Sequence, residues 1–300
     1  MSIPVTVIGG FLGSGKTTLV NRILAASPAR TAVLVNDFGE INVDFDLVKA
    51  GDDLTFELSG GCICCSMAEG VGPAIKSALK TNPETILIEA SGVGEPRRIA
   101  EFALLDPALR LDMIVTLANA TALDRQIRDP LIGDTVARQF DGADLIVLNH
   151  ADAARPDALT KAHDILRRLA PGRRVIETVE ADLPLDLLTA TSHAIFAAGP
   201  LEDDTDHGSI YGRDRFESDT PIPVETLEAM LQALPQSVLR LKGWVLLSEE
   251  PEVMLLQYVA GRWSLVPAPD APRLTRLVSI ASDPDFTIAE SLKTQAFSAS

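Results

Sequence analysis

Short apolar runs alternate with amphipathic stretches over the first two-thirds of the chain. The runs are rich in Val, Ile and Leu without strict polar alternation, which is typical of parallel strands buried on both faces. They lie at Pro4–Ile8, Ala32–Val35, Ile86–Ile88, Met113–Leu117, Leu145–Leu148 and Val175–Ile176. Strand, helix, strand repetition predicts an α/β fold with a doubly wound, mostly parallel sheet. The alternating Leu54, Phe56 and Leu58 predict an edge strand.

The pattern breaks near residue 198, where apolar residues become scarce and Glu202-Asp203-Asp204 introduces an acidic run. We interpret residues 199–220 as a linker between a first domain at residues 1–198 and a second at residues 221–300. The second domain contains a helical pattern from Val224 to Leu234 followed by strand patterns, which predict a smaller α+β domain.

The charge balance limits the classes of partner. The 300 residues carry 26 Lys and Arg against 42 Asp and Glu, a formal net charge of −16. Such a surface repels phosphate backbones and anionic lipid, so we expect neither nucleic-acid nor membrane binding. The apolar stretch at the N-terminus stops at Gly9 and Gly10, too early for a signal peptide or a membrane span, and we expect a cytoplasmic protein.

A phosphate-binding loop follows the first apolar run. Residues Gly10–Thr18 fit the pattern G-x-x-x-x-G-K-[ST], with a predicted strand before and a predicted helix after. Backbone N–H groups of such a loop cradle phosphates, and the helix N-terminus adds its positive end. We expect Lys16 to reach the β- and γ-phosphates and the Thr17 hydroxyl to bind Mg²⁺. The cradle itself is expected to consist of Gly13, Ser14, Gly15, Lys16, Thr17 and Thr18.

An acidic partner for this loop is predicted at the end of another strand. Glu89 follows the apolar run Ile86–Ile88, and Gly92 comes three residues later, as in the D-x-x-G pattern of GTPases with Glu in place of Asp. We expect Glu89 to hold Mg²⁺ or its water, and the Gly92 N–H to sense the γ-phosphate.

The choice of base depends on residues 149–152, which follow the run Leu145–Leu148. Asn149-His150-Ala151-Asp152 is similar to the guanine motif N-K-x-D, with His in place of Lys. A carboxylate at Asp152 can accept hydrogen bonds from guanine N1 and N2, and Asn149 can bridge the loop and the base. An ordinary Asn/Asp turn is the alternative, since these residues are common in turns.

All three cysteines of the chain fall within four residues, at Cys62, Cys64 and Cys65. Such clustering cannot build a dispersed disulfide framework, and it indicates metal binding in a reducing compartment. Thiolates suit soft or borderline ions such as Zn²⁺ and Co²⁺. One loop cannot easily close a tetrahedral site, so we expect a further ligand from elsewhere.

Together these motifs resemble the CobW-like family of P-loop GTPase metallochaperones. The residues that carry the resemblance are Gly10–Thr18, Asn36-Asp37-Phe38-Gly39-Glu40, Gly61-Cys62-Ile63-Cys64-Cys65, Glu89-Ala90-Ser91-Gly92 with Pro96, and Arg240-Leu241-Lys242-Gly243. The resemblance implies that Lys16, Thr17 and Glu89 serve the nucleotide and Mg²⁺. It also implies a transition-metal site at Cys64 and Cys65, with Glu40 nearby and Cys62 as a further candidate ligand. Asn119 stands where the family has an Asp after a strand.

The resulting hypothesis is a GTP-hydrolysing metallochaperone that delivers Zn²⁺ or Co²⁺ to a client metalloprotein. The client would dock on the C-terminal domain or on the loops that respond to nucleotide. A P-loop small-molecule kinase that uses ATP, and a non-catalytic metal buffer or sensor, are the alternatives that the sequence leaves open.

Overall fold

A computed structural model describes residues 2–26, 30–35, 55–57, 67–184, 187–188, 211–259 and 261–298. The chain divides into two compact units, Met1–Thr191 and Ser192–Ser300. In the described residues no helix is long and apolar enough to cross a membrane.

Parallel strands and intervening helices build the first unit. Its strands are β1 Ile3–Gly10, β2 Thr31–Val35, β3 Thr55–Glu57, β4 Thr85–Glu89, β5 Leu109–Asn119, β6 Leu145–Asn149 and β7 Arg174–Glu177. Its helices are α1 Lys16–Ala26, α2 Met67–Leu79, α3 Pro96–Ala103, α4 Leu123–Arg128, α5 Gly133–Arg138 and α6 Pro156–Leu169.

The strands form one seven-stranded parallel sheet in the order β3-β2-β4-β1-β5-β6-β7. This arrangement confirms the predicted doubly wound fold and places β3 at an edge. Because the strands are parallel, the carboxyl ends of β1, β4, β5 and β6 lie along one edge of the sheet. Ligands bind at this edge in open α/β sheets.

Apolar side chains fill both faces of the central strands. Each residue of β2 and of β4 is buried, as expected of strands covered by helices on both sides. One layer of the core packs Val7, Leu34 and Ile88 against α2 and α3. The other side includes Ile146, Leu148 and residues of α6. The sheet, packed on both faces, therefore positions the loops at its carboxyl edge.

The second unit is an antiparallel sheet with two helices. Its strands are β8 Gly212–Ser218, β9 Val238–Val245, β10 Met254–Val259, β11 Arg262–Pro267 and β12 Thr275–Ala281, in the order β11-β10-β9-β12-β8. Its helices are α7 Val224–Ala233 and α8 Ile288–Ser298. Leu227, Met230, Leu241, Leu277 and Ile288 share its apolar core.

One segment differs from the expectation. Residues 212–218, assigned to the linker at 199–220, form β8, an edge strand of the second sheet. The segment reads Gly-Arg-Asp-Arg-Phe-Glu-Ser, with a single large apolar residue, so its pattern is that of a polar loop. Its seven residue pairs with β12 supply the strand geometry that local sequence does not indicate.

Candidate nucleotide-binding site

The phosphate loop connects β1 directly to α1, as its motif requires. Gly10, Gly13 and Gly15 have φ values of +133°, +72° and +101°. A Cβ atom on Gly10 would lie 2.4 Å from the carbonyl oxygen of Leu117, and a Cβ on Gly15 would lie 2.4 Å from Nδ2 of Asn149. Glycine is required at both positions, because a larger residue would collide with these neighbours and would be strained at positive φ.

Thr17 and Glu89 meet at the carboxyl ends of β1 and β4. The Thr17 hydroxyl donates a hydrogen bond of 2.8 Å to Oε1 of Glu89. The Glu89 side chain is buried, and Glu89 pairs with Ile8 in the register of the sheet. A hydroxyl and a carboxylate oxygen are ligand types that Mg²⁺ takes beside a nucleotide. The donor set therefore fits a magnesium ion that accompanies a triphosphate.

Lys16 begins α1 and is buried at 7% exposure, although its side chain is long and charged. A buried ammonium group is retained where it has anionic or hydrogen-bonding partners. Its position is consistent with the predicted contact to phosphates.

Two asparagines at adjacent strand ends hold the loop in place. Asn149 ends β6, and its Nδ2 donates to the carbonyl oxygen of Ser14 at 3.0 Å. Asn119 ends β5, and its Nδ2 donates to the carbonyl oxygen of Gly13 at 3.1 Å. The two residues are paired in the sheet register. The carbonyl groups of Gly13 and Ser14 are thus bonded to the ends of β5 and β6, which fixes this part of the phosphate loop to the sheet.

The side-chain oxygen of Asn149 also forms hydrogen bonds. Its Oδ1 accepts hydrogen bonds from the Ala181 N–H at 2.8 Å and from the Thr178 hydroxyl at 3.2 Å. The residue therefore bridges the phosphate loop and the segment after β7, in addition to the base contact that we predicted for it. The contact between Asn119 and the loop was missed at sequence level. The signal for it is that both asparagines directly follow neighbouring apolar runs.

His150 and Asp152 form the turn after β6. His150 has φ of +60°, and the Ala151 N–H donates to the carbonyl oxygen of Thr178 at 3.1 Å. Asp152 is exposed. Asp152 follows β6, whose carboxyl end lies along the same edge of the sheet as that of β1, where the phosphate loop begins. Its contact with a base stays a prediction.

Gly92 lies in the turn that follows Glu89 and packs against the tip of the phosphate loop. A Cβ atom on Gly92 would lie 2.4 Å from Cδ2 of Leu12. The turn is closed by a hydrogen bond of 3.0 Å from the Gly94 N–H to the Ser91 carbonyl oxygen. The structure thus brings Gly92 next to the loop, as expected for a backbone group that senses phosphate.

Models of two families match this chain. The model described as CobW/HypB/UreG, nucleotide-binding domain, matches residues 4–177, and the cobalamin synthesis protein CobW C-terminal domain matches residues 213–295. The chain belongs to the CobW/HypB/UreG family. Membership in this family makes it a P-loop GTPase, which agrees with the phosphate loop and with the contact between Thr17 and Glu89.

Curated relatives cover most of this CobW/HypB/UreG chain. It is 30% identical to the zinc chaperone CobW of Pseudomonas aeruginosa, over 97% of this chain and 91% of that protein. It is 29% identical to the zinc chaperone YjiA of Escherichia coli, over 87% of each. The crystal structure of Zn(II)-bound YjiA GTPase from E. coli aligns with 99% of both chains, at 23% identity and a TM-score of 0.47.

The predicted transition-metal ligands of this CobW/HypB/UreG chain, Glu40, Cys62, Cys64 and Cys65, lie outside the described residues. Among the residues that the structure does describe, no group of three or more His, Cys, Asp and Glu side chains could hold a metal ion. The transition-metal site therefore stays a prediction from the sequence.

Proposed function

We propose that this chain is a GTP-dependent metallochaperone, which couples hydrolysis of GTP to the binding and delivery of a transition metal. The metal is held by thiolates of Cys62, Cys64 and Cys65, with Glu40 nearby, and the recipient is a client metalloprotein. The hydrogen bond between Thr17 and Glu89 carries the nucleotide half of the proposal, because it joins the phosphate loop to an acid at the neighbouring strand end.

Each nucleotide-binding residue has a role that follows from its place. Lys16 neutralises charge on the β- and γ-phosphates. Thr17 and Glu89 would hold Mg²⁺, and the ion would supply electrostatic stabilisation of the charge on the phosphoryl group. The Gly92 N–H binds the γ-phosphate, and Asp152 accepts hydrogen bonds from guanine.

The topology supports coupling between the nucleotide and the cysteines. Glu57, the last residue of β3, pairs with Val35 at the end of β2, and Val35 pairs with Glu89 at the end of β4. Neighbouring strands lie about 4.8 Å apart, so Glu57 and Glu89 are separated by roughly 10 Å. The cysteine-bearing sequence starts five residues after Glu57. The proposed coupling therefore runs from Glu89 through β2 to the end of β3, the strand that precedes the cysteines in sequence.

The relatives favour zinc among the ions that thiolates accept. Thiolate ligands alone admit both Zn²⁺ and Co²⁺. The curated relatives from P. aeruginosa and E. coli are each described as a zinc chaperone. We therefore propose Zn²⁺ as the first ion to test and Co²⁺ as its competitor.

Metal analysis of the purified protein tests this function. The protein is loaded with Zn²⁺ in the presence of Mg²⁺ and a non-hydrolysable GTP analogue, desalted, and analysed by mass spectrometry for bound metal. We expect about one Zn²⁺ per chain, and a loss of most of it in Cys64→Ser, because a site built from few ligands depends on each thiolate.

The matched control is the nucleotide affinity of the same variant. Cys64→Ser leaves the phosphate loop intact, so GDP affinity should stay within about twofold of the unaltered protein. Stoichiometric Zn²⁺ in Cys64→Ser would contradict the assignment of the metal site.

A further inference from the structure

A fully buried glutamine connects the two backbone segments that face the phosphates. Gln139 follows α5 and has no solvent-exposed surface. Its Oε1 accepts a hydrogen bond of 3.1 Å from the Gly10 N–H, at the entry of the phosphate loop. Its Nε2 donates a hydrogen bond of 2.6 Å to the carbonyl oxygen of Gly94, at the end of the turn after Glu89. One amide group thus bridges both segments.

The glutamine is itself fixed to the sheet. The Thr116 hydroxyl, on β5, donates to the backbone carbonyl oxygen of Gln139 at 3.0 Å. The side-chain amide is planar, and its oxygen and nitrogen are on opposite sides of the same carbon. Because both of these atoms form hydrogen bonds and the backbone of Gln139 is bonded to β5, the distance between Gly10 and Gly94 can vary little.

Both bridged groups are placed where movement would reach a phosphate. Gly10 is confined, because a Cβ there would lie 2.7 Å from Oγ of Ser14 and 2.4 Å from the Leu117 carbonyl oxygen. The Gly94 N–H closes the turn on Ser91, and this turn contains Gly92. A displacement of the turn is therefore transmitted through Gln139 to the first residue of the phosphate loop.

The neighbouring residue offers a comparison. Arg138 reaches the same turn through an ion pair of 3.5 Å to Oε1 of Glu95, but its side chain is 62% exposed. Exposed ion pairs contribute little because water and salt screen them. A buried hydrogen bond is costly to break, because the partner group left behind has no water to replace it.

We propose that Gln139 is a positioning residue that ties the turn bearing Gly92 to the entry of the phosphate loop. Through this connection it sets the preference of the protein for nucleoside triphosphate over diphosphate. The inference rests on the proposed role of Gly92 at the γ-phosphate and adds the residue that places it.

The variant Gln139→Met tests this role, because methionine keeps the length of the side chain and removes both hydrogen bonds. Affinities for GDP and for a non-hydrolysable GTP analogue are measured by calorimetry in the presence of Mg²⁺. We expect about tenfold weaker binding of the analogue, from loss of a buried hydrogen bond, and a change below about threefold for GDP. Arg138→Met is the matched control, and both of its affinities should stay within about twofold.

The variant Gln139→Glu separates the two bonds. Burial raises the pKa of a carboxyl at this position, and its protonated form can keep both hydrogen bonds. At a pH high enough to ionise it, the carboxylate still accepts from the Gly10 N–H but cannot donate to the Gly94 carbonyl oxygen. We expect this variant, with its carboxyl ionised, to bind the GTP analogue more weakly than the unaltered protein does and to bind GDP with unchanged affinity. Equal losses for GDP and analogue would show that Gln139 only shapes the phosphate loop, and would overturn the inference.

Hydrogen exchange of the unaltered protein guards against variants that fail to fold. On replacement of GDP by the analogue, exchange at the Gly10 amide should change together with exchange in residues 91–94. A response of the turn without one at Gly10 would overturn the role of Gln139 alone. Failure of the unaltered protein to distinguish the two nucleotides would overturn the proposed function as well.

Discussion

The two sheets of this chain place their polar side chains in opposite ways. In the parallel sheet of the first unit, the strand interiors are mostly apolar, with Thr6, Asp112 and Thr116 as buried exceptions, and other polar residues stand where strands end. Glu89, Asn119 and Asn149 are each the last residue of a strand. The register aligns these ends, so the side chains converge on the phosphate loop. Residues far apart in sequence thus form one site at a single edge.

The antiparallel sheet of the second unit separates its side chains by face instead. Leu241, Leu256 and Leu277 point into a core shared with α7 and α8. Alternation along the strands puts charged residues on the opposite face, at Arg213, Arg215, Arg240, Lys242 and Arg276. Arg276 pairs there with Glu217 and lies 5.8 Å from the Trp244 ring centroid.

This difference predicts which substitutions change stability and which change binding. A strand-end substitution in the first unit removes a functional group with little change in packing. A core substitution in the second unit creates a cavity with no direct effect on the nucleotide site.

The largest effect on stability is expected from Leu277→Ala, at a fully buried position of β12. The cavity should lower the free energy of unfolding of the second unit by about 2–5 kcal/mol. Both tryptophans, Trp244 and Trp263, lie in strands of this unit, so denaturation followed by their fluorescence reports on it directly.

The control for Leu277→Ala is Val266→Ala on the edge strand β11, whose side chain is 40% exposed. This substitution should lower the free energy of unfolding by less than about 1 kcal/mol. A loss of GDP affinity in folded Leu277→Ala would contradict the expectation that core substitutions in the second unit leave nucleotide binding unchanged.

The largest effect on chemistry is expected from Lys16→Ala. Removal of the buried ammonium group should lower the rate of GTP hydrolysis by about 100- to 1000-fold, as for loss of one group that stabilises transition-state charge. Phosphate release in single-turnover conditions measures it. Lys161→Ala, on α6, is the control and should retain full activity. Hydrolysis that survives Lys16→Ala would contradict the role of Lys16. Metal delivery that survives Lys16→Ala would favour the alternative of a non-catalytic metal buffer.

A smaller effect is expected from Asp152→Asn, which tests the choice of base. Loss of a charge-assisted hydrogen bond to guanine should lower the affinity for GDP by about 10- to 100-fold. The affinity for ADP, which we expect to be much lower, should not change. Asp157→Asn, in the first turn of α6, is the matched control. Equal affinities of the unaltered protein for GDP and ADP would instead support a kinase that uses ATP.

The smallest effect concerns the pH dependence of the second unit. Hydrogen bonds from Arg215 and Arg276 lower the pKa of Glu217 below its ordinary 4.5. The ionised form is thus favoured in the folded state, so its stabilisation is present above the unfolded pKa and is lost as pH falls through the folded pKa. Glu217→Gln should be less stable than the unaltered protein at pH 7 by less than about 1 kcal/mol, because the Glu217 side chain is 42% exposed and solvent screens its ion pairs.

Thermal unfolding of both proteins between pH 7 and pH 3 measures this difference. The two stabilities should converge at the acidic end of the range. A difference that grows as the solution is acidified would show that the ion pairs are not its source.

The site of the first unit was largely predictable because its residues follow strong local patterns. Gly10–Thr18 and Glu89-Ala90-Ser91-Gly92 are contiguous motifs next to apolar strands. The structure places Thr17 in contact with Glu89, and Gly92 beside Leu12 of the loop, while their roles at the nucleotide stay predictions. The contacts of Asn119 and Gln139 were not predicted, because they depend on register and on the path of the α5 segment. A single amide in a turn carries no local signal of a partner 106 or 129 residues away.

The second unit was predictable only where apolar alternation is strong. The helix predicted from Val224 to Leu234 is found at Val224–Ala233, and the first of the strands predicted after it is found at Val238–Val245. β8 was missed because it is an edge strand with one apolar residue, held by pairing with β12. Tertiary pairing there overrides local preference, which is the usual limit of pattern-based prediction for strands.

The central claim is that the bound nucleotide controls the affinity of the protein for its transition metal. The most direct test is the Zn²⁺ affinity of the protein, measured by competition with a chromophoric chelator, with GDP bound and with a non-hydrolysable GTP analogue bound. We expect the two dissociation constants to differ by at least about fivefold, and metal to change the ratio of nucleotide affinities by the same factor, since coupling is reciprocal. Identical Zn²⁺ affinities in the two nucleotide states would contradict the account.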